Sequence, residues 1–247
     1  MSLFLAALAG VAIGFLGGLL GKGGSAMSTP LLHLIGFPAI IAVASPLPAT
    51  VPSTMVASYA YSKQRMVDWR VVRWSVACGI PATAAGALAT QWVDGNILVR
   101  VTDVVLIGLG LRLAISAYRP SRMSAEPVVN TAWQLAGVAI VVGGISGLLA
   151  NSGGFLLAPL FITVLKLPIK SALASSLAVS SMLAIPGTVV HAALGHVNWT
   201  LVLVFGSTAV PLAFVGARTA MRIDAHRLER GYGMTLVLFG AVFLIIG

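Results

Sequence analysis

The sequence predicts an all-α polytopic membrane protein built from two inverted repeats. Of its 247 residues, 58% are hydrophobic and only 9% are charged, whereas a soluble domain of this size carries about 25% charged residues. The apolar residues fall into runs separated by short polar loops, which is the pattern of membrane-spanning helices. An internal repeat and an alternating charge bias predict how these helices are arranged.

The repeat relates positions that lie 130 residues apart. Common apolar residues would match by chance, but scarce residue types also match in register: Pro38/Pro168, Ser45/Ser175, Trp69/Trp199, Pro81/Pro211 and Asp94/Asp224. We therefore infer a duplication within one integrated membrane domain. Residues 1–117 form the first repeat, residues 118–130 a polar cytoplasmic linker, and residues 131–247 the second repeat.

Each half contains five apolar segments. In the first half they cover about residues 3–20, 25–37, 39–61, 71–90 and 97–116, and in the second half about 131–150, 154–165, 169–190, 199–220 and 230–247. The second segment of each half is shorter than the roughly 20 residues of a full span and contains Pro30 or Pro159. The sequence thus predicts about ten membrane segments, of which two are short or broken helices.

Lys and Arg occupy opposite loops in the two halves. The loop after the third segment is basic only in the first half, and the loop after the fourth segment is strongly basic only in the second half. Since cytoplasmic loops collect Lys and Arg, equivalent loops must face opposite sides. We expect an inverted repeat in the inner membrane, with both termini outside and every Lys and Arg except Arg100 on the cytoplasmic side.

A glycine cluster recurs where the first segment of each half ends: Gly21-Lys22-Gly23-Gly24 and Asn151-Ser152-Gly153-Gly154. Inside a membrane, interrupted helical backbone is tolerated only where it is buried in protein or lines a cavity. A helix that restarts after such a cluster directs its N–H groups and positive dipole end inward, which favours an anion. The alternative is close packing of helices through small residues.

These motifs, each followed by a proline (Pro30 or Pro159), resemble the sulfite exporter TauE/SafE family of anion permeases over about residues 5–245. The resemblance implies export of sulfite or an organosulfonate such as sulfoacetate, without a cofactor. Two inverted halves fit alternating access at their interface. Lys22 and Asn151 depart from the glycine pattern of the family and leave the identity of the anion open.

The candidate substrate-binding residues belong to the two glycine motifs and to the first serine of each third segment. They are Lys22, Gly23, Gly24, Ser25, Asn151, Ser152, Gly153, Gly154, Ser45 and Ser175. Hydroxyl and backbone N–H groups at these positions can donate hydrogen bonds to sulfonate oxygens. Two alternatives stay open: Lys22 extends to the membrane interface, and the serines only join helices.

Other functions find less support in the sequence. A single cysteine, Cys78, excludes an intrachain disulfide, and basic residues confined to short loops indicate lipid rather than nucleic acid as a partner. An enzyme would need a nucleophile, paired carboxylates or a metal cluster, whereas His191, His196 and His226 are expected in loops and form no metal site. A passive anion channel and a membrane assembly partner without transport remain alternatives, and the apolar outer faces are compatible with a homodimer.

The acidic residues predict how transport is driven. Asp103 is the one acidic residue inside a predicted span, so the sequence offers no deep carboxylate for a proton or sodium ion. We therefore expect electrogenic export of an anion without a dedicated coupling ion, because an inside-negative potential supplies about 2.3 kcal/mol per charge and 100 mV.

Overall fold

The computed structural model describes residues 2–21, 25–94, 132–150 and 152–225, together with scattered positions within 96–111 and 227–238. The predicted linker at 118–130 lies outside the described residues, as does most of the segments at 97–116 and 230–247. The bounds of the described helices are α1 Ser2–Leu20, α2 Ser25–Leu34, α3 Ala39–Ala44, α4 Pro46–Ser62, α5 Trp69–Ala89, α6 Ala132–Leu148, α7 Gly154–Thr163, α8 Ile169–Ala193 and α9 Trp199–Arg222, with a 3-10 turn at Thr90–Trp92.

Helix lengths agree with a protein that crosses a membrane several times. Five helical stretches among the described residues are long and apolar enough to span a bilayer: Ser2–Leu20, Ala39–Ser62, Trp69–Trp92, Ile169–Ala193 and Trp199–Arg222. α6 and α7 are shorter apolar helices. The predicted short second segments are confirmed as α2 and α7, helices of 10 residues that contain Pro30 and Pro159.

The third segment differs between the halves. In the first half it is divided at Ser45 into α3 and α4, whereas in the second half α8 runs for 25 residues without a break. Pro46 and Pro48 supply no backbone N–H, so two of the hydrogen bonds that would join the first turn of α4 to α3 are lost. Their equivalents, Ser176 and Ala178, keep this donor.

The backbone repeats the duplication seen in the sequence. Left-handed residues occur at matched places in two turns: Arg65 (φ 54°) matches Gly195 (φ 74°), and Gly36 (φ 101°) matches Lys166 (φ 57°). Each pair is 130 positions apart. Lysine and arginine adopt this conformation at a cost, so the turn geometry persists even where the glycine that suits it has been replaced.

Helix packing follows the same repeat. α1 packs along α9, and its equivalent α6 packs along α5, which is the equivalent of α9. Likewise α4 contacts α9, and its equivalent α8 contacts α5. α4 and α8 also contact each other. These contacts among the described helices therefore occur in pairs with the roles of the two halves exchanged. α8 contacts α4, α5 and α7 and is buried along most of its length.

Candidate functional site

The first glycine motif lies against α8 of the other half. Gly21 ends α1 in the left-handed conformation (φ 66°), and its carbonyl oxygen accepts a 2.9 Å hydrogen bond from Ser176 Oγ. A Cβ at Gly21 would stand 2.8 Å from Leu173 Cδ2, so only glycine fits. Lys22, Gly23 and Gly24 lie outside the described residues, and Ser25 is described only as the first residue of α2.

The second glycine motif leads into a helix that begins inside the protein. Gly153 is left-handed (φ 73°), and its carbonyl accepts the N–H groups of Leu156 and Leu157 at 2.9 and 2.8 Å. α7 then starts at Gly154 and is buried over most of its length. Ser152, two residues before α7, is fully buried. The first N–H groups of an α-helix have no partner within the helix, so this end suits an anion. Asn151 lies outside the described residues.

Ser45 and Ser175 make the same contact in the two halves. Ser175 Oγ accepts the backbone N–H of Asp68 at 2.9 Å, and Ser45 Oγ accepts that of Asn198 at 2.9 Å. Asp68 and Asn198 are the N-cap residues of α5 and α9. Both serines are fully buried, and neither hydroxyl proton has an acceptor among the described residues. Each serine thus holds the start of a helix in the other half and can still donate one hydrogen bond.

The described residues of the two motifs contact different helices. Gly21 of the first motif contacts α8 through Ser176, whereas a Cβ at Gly153 of the second motif would lie 3.0 Å from Val142 Cγ1 and 3.3 Å from Ser146 Cβ of α6. The first motif therefore ends against α8 of the other half, and Gly153 lies against the helix that precedes it.

Helices α5 and α8 carry buried hydroxyls that the sequence analysis did not single out. Ser75 and Thr83 on α5 and Ser180 on α8 are at most 1% exposed, and their oxygens have no hydrogen-bond partner within the described structure. Serine and threonine in helices commonly bond a carbonyl one turn back, as Ser53 does to Ala49 at 2.7 Å. Leaving such a group unpaired costs about 1–3 kcal/mol, so each of these hydroxyls is available to a ligand.

The two helices place these hydroxyls along a shared contact. A Cβ at Gly79 would meet Leu183 Cδ2 at 2.9 Å, and a Cβ at Gly187 would meet Thr83 Cγ2 at 3.8 Å. Ser75, Gly79 and Thr83 are spaced by four residues and so lie on one face of α5. The sequence shows this shared face, but not whether the hydroxyls of Ser75 and Thr83 are paired.

A narrow cavity occupies the equivalent place in the other half. Its volume is about 10 Å³, which is about one water site. It is lined by glycines of α1, hydroxyls of α4 and apolar residues of α8 and α9: Ile13, Gly14, Gly17, Gly18, Thr50, Ser53, Thr54, Leu177, Phe205, Ala209 and Ala213. Thr50, Phe205 and Ala213 are the repeat equivalents of Ser180, Ser75 and Thr83. Ser75 and Thr83 therefore stand where the other half has apolar side chains, whereas Ser180 stands where it has Thr50, whose hydroxyl bonds the carbonyl of Pro46 at 3.0 Å.

The prediction that His191 lies in a loop is wrong. His191 belongs to the last turn of α8 and is fully buried, because α8 continues beyond Pro186 to Ala193. Its Nδ1 lies 3.2 Å from Nδ1 of His196, which is in the following loop. Burial lowers the pKa of His196. Within the described residues no three His, Cys, Asp or Glu side chains are grouped to hold a metal ion.

Comparison with known proteins agrees with this architecture. Residues 6–243 match the family described as sulfite exporter TauE/SafE. A probable membrane transporter protein of Xylella fastidiosa is 28% identical over 249 residues, covering 99% of this chain and 95% of its own length. The probable membrane transporter protein YunE of Bacillus subtilis is 24% identical, with 100% and 96% of the two chains covered. No solved structure matches the chain. The chain belongs to the sulfite exporter TauE/SafE family of membrane transporters.

Proposed function

We propose that this membrane transporter exports a small oxyanion, sulfite or an organosulfonate such as sulfoacetate, by alternating access between two inverted halves. The observation that carries the proposal is the set of buried hydroxyls without partners, Ser75, Thr83 and Ser180. An oxyanion that sheds its water needs donors, and hydroxyls supply them without a fixed positive charge that would slow release. The resemblance to sulfite exporters supplies the substrate class.

Two reciprocal hydrogen bonds support the inverted arrangement. Ser45 lies near the start of the third segment and Asp68 just after its end, separated by a full helix, α4. Were both halves oriented alike, Ser45 and Ser175 would lie at one depth in the membrane and Asp68 and Asn198 at the other. The observed pairs are Ser45 with Asn198 and Ser175 with Asp68, each at 2.9 Å. Opposite orientation brings each pair to the same depth.

Helix direction gives independent support. α5 and α8 run parallel, because Gly79 faces Leu183 and Thr83 faces Gly187. α4 and α5 are joined by the short loop 63–68, so they run in opposite directions across the membrane. It follows that α4 and α8 are antiparallel, although they are equivalent helices of the two repeats. We place residues 1–117 in one repeat and residues 131–247 in the other, connected by the cytoplasmic linker 118–130.

In this proposal the two glycine motifs bind the anion as it enters and as it leaves the transporter. We assign anion binding at one end to Lys22, Gly23, Gly24 and Ser25 with Ser175, and at the other end to Asn151, Ser152, Gly153 and Gly154 with Ser45. We assign further donors along the route to the unpaired hydroxyls of α5 and α8. The basic end of the molecule faces the cytoplasm of the inner membrane in this assignment, and both termini face outside.

The size of the cavity favours a carrier over a passive channel. The space beside Gly17 and Thr50 admits about one water molecule, so an oxyanion can pass only after helices separate. Movement of the α1–α9 and α5–α6 pairs against α4 and α8 would open this route. The membrane potential drives each exported negative charge by about 2.3 kcal/mol per 100 mV.

Transport into proteoliposomes tests the proposal. Labelled sulfite and sulfoacetate should be taken up in preference to chloride, and unlabelled substrate on the opposite side should accelerate uptake, which a channel does not show. Thr83→Val keeps the shape of the side chain but removes the donor. It should slow transport about 10-fold or more, since a hydrogen bond to a charged group contributes about 1.5–3 kcal/mol.

The matched control for this variant is Thr219→Val. Thr219 lies on the exposed side of α9 and bonds the carbonyl of Val215 at 2.9 Å, so it should leave transport unchanged. Equal loss in both variants would contradict the role of the buried hydroxyls. Absence of uptake for every anion tested would instead favour the assembly-partner alternative.

A further inference from the structure

A pocket of about 190 Å³ opens at the end of the molecule that carries most of the basic loops. It is lined by Gln64, from the loop after α4, and by Arg218, Met221 and Arg222 in the last turns of α9. Arg218 and Arg222 are four residues apart and therefore lie on the same face of the helix. The pocket thus combines two guanidinium groups with one amide.

The two guanidinium groups lack a counter-charge within the described structure. Arg218 stacks on the ring of Phe214, with 4.5 Å between Cζ and the ring centroid. Neither arginine has a carboxylate or hydrogen-bond partner among the described residues. Nearby, Lys170 Nζ bonds the carbonyl of Met221 at 3.0 Å, which adds a third positive charge. Like charges at this spacing repel each other, and an oxyanion between them removes that cost through paired N–H···O bonds.

The surface leading into the pocket is apolar. From Leu203 onward, the exposed positions of α9 form one stripe that ends at Arg218 and Arg222: Leu203, Ser207, Pro211, Val215, Arg218 and Arg222. Met55 and Tyr59 of the adjoining helix α4 are also more than half exposed. In a membrane this stripe contacts acyl chains, so the pocket lies where the headgroup of a phospholipid begins. A free anion would gain nothing from the stripe.

The repeat supplies an internal comparison. The positions equivalent to Gln64, Arg218 and Arg222 are Leu194, Leu88 and Trp92, and none of them carries a charge. The charged side chains of the pocket therefore have no charged counterparts at the equivalent positions of the other half, which is the distribution expected of a site for anionic lipid in a single leaflet.

We propose that Gln64, Arg218 and Arg222 bind the phosphate of an anionic phospholipid, with its acyl chains along the exposed faces of α4 and α9. Two unpaired positive charges favour a headgroup without its own cation, such as phosphatidylglycerol, over phosphatidylcholine. Gln64, Arg218 and Arg222 are not among the residues assigned to transport. The site is therefore testable without a transport substrate.

The test measures melting of the protein purified in nonionic detergent as lipid is added in mixed micelles. Phosphatidylglycerol should raise the melting temperature by several degrees, since a ligand that binds only the folded state stabilises it. Phosphatidylcholine should raise it less. The double variant Arg218→Gln/Arg222→Gln should lose most of the difference between the two lipids, and native mass spectrometry should show loss of retained phosphatidylglycerol.

Three controls decide the outcome. Arg73→Gln removes another exposed arginine, which bonds only the carbonyl of Trp69 among the described residues, and should keep the full lipid response. An undiminished rise in melting temperature with phosphatidylglycerol in the double variant would overturn the site.

Inorganic phosphate and glycerol phosphate test the identity of the occupant. If either of them raises the melting temperature as much as the lipid does, the occupant is a free oxyanion and not a lipid. Should the double variant misfold, Arg222→Gln alone gives the same comparison. We expect it to lose about half of the stabilisation by phosphatidylglycerol, and no loss would overturn the site.

Discussion

Replacement of Gly14 by alanine tests the contact between α1 and α9. A Cβ at Gly14 would lie 2.6 Å from Cα and 2.8 Å from the carbonyl carbon of Ala209. Carbon atoms in contact are normally about 3.5–4.0 Å apart, so the helices would have to separate by about 1 Å. Because both obstructing atoms belong to the backbone, no side-chain rotation relieves the clash. Overpacking of this kind costs about 1–3 kcal/mol.

The repeat provides the control for this variant. Gly144 is the equivalent of Gly14 in α6, but a Cβ there meets no atom within 4 Å. Alanine is favoured over glycine in both helices by about 1 kcal/mol, and this gain cancels when the two variants are compared. Their difference therefore reports the contact with Ala209 alone. At 2–4 °C per kcal/mol, Gly14→Ala should melt about 2–12 °C below Gly144→Ala.

Thermal unfolding in detergent, followed by circular dichroism at 222 nm, measures this difference. Both variants should retain the helical spectrum and elution volume of the wild type at low temperature. If Gly14→Ala proves as stable as Gly144→Ala, α1 and α9 do not approach as closely as described, and the packing argument fails. Loss of stability in both variants would point to a general effect of alanine in these helices instead.

Two further variants test other contacts. Ser175→Ala leaves the backbone N–H of Asp68 without the acceptor that it has in the wild type, so the free energy of unfolding should fall by about 1–3 kcal/mol. Denaturant titration measures this change. Ser175→Thr keeps the hydroxyl and should lose less stability. His196→Gln should reduce the loss of stability in acid. Burial lowers the pKa of His196 in the folded protein, so its neutral form stabilises the fold above the ordinary value near 6.5, and this contribution is lost as the pH falls below it. Melting curves at pH 7.5 and 5.5 should therefore differ more for the wild type than for the variant, and equal differences would rule out this role.

Periodic features of the sequence predicted the helices well. The first and fourth segments of each half begin and end within a few residues of the described helices wherever those are described, and Trp69 and Trp199 do open α5 and α9. Apolar runs and prolines are local signals, so they mark helix bounds without knowledge of the packing. His191 was misassigned because the apolar run of α8 is diluted by polar residues near its end, while burial against α6 keeps the last turn helical.

The candidate site was predictable only in part. Ser45 and Ser175 were chosen because they match across the repeat, and the structure gives both the same bond to an N-cap residue. Ser75 and Thr83 were missed, since a lone hydroxyl in an apolar segment looks the same whether or not it bonds its own helix. The partner of a hydroxyl depends on side-chain rotation and on the neighbouring helix, which no local pattern encodes.

The sequence by itself determined the class of protein and the family and predicted the duplication, because composition, register and motifs are properties of the chain. The charge bias of its loops also predicted opposed halves, for which the reciprocal bonds of Ser45 and Ser175 later gave support. Only the tertiary structure decided that Gly21 of the first glycine motif meets Ser176 of α8. It also decided which hydroxyls are left without a partner. Both depend on distances between residues far apart in the chain, which packing alone fixes.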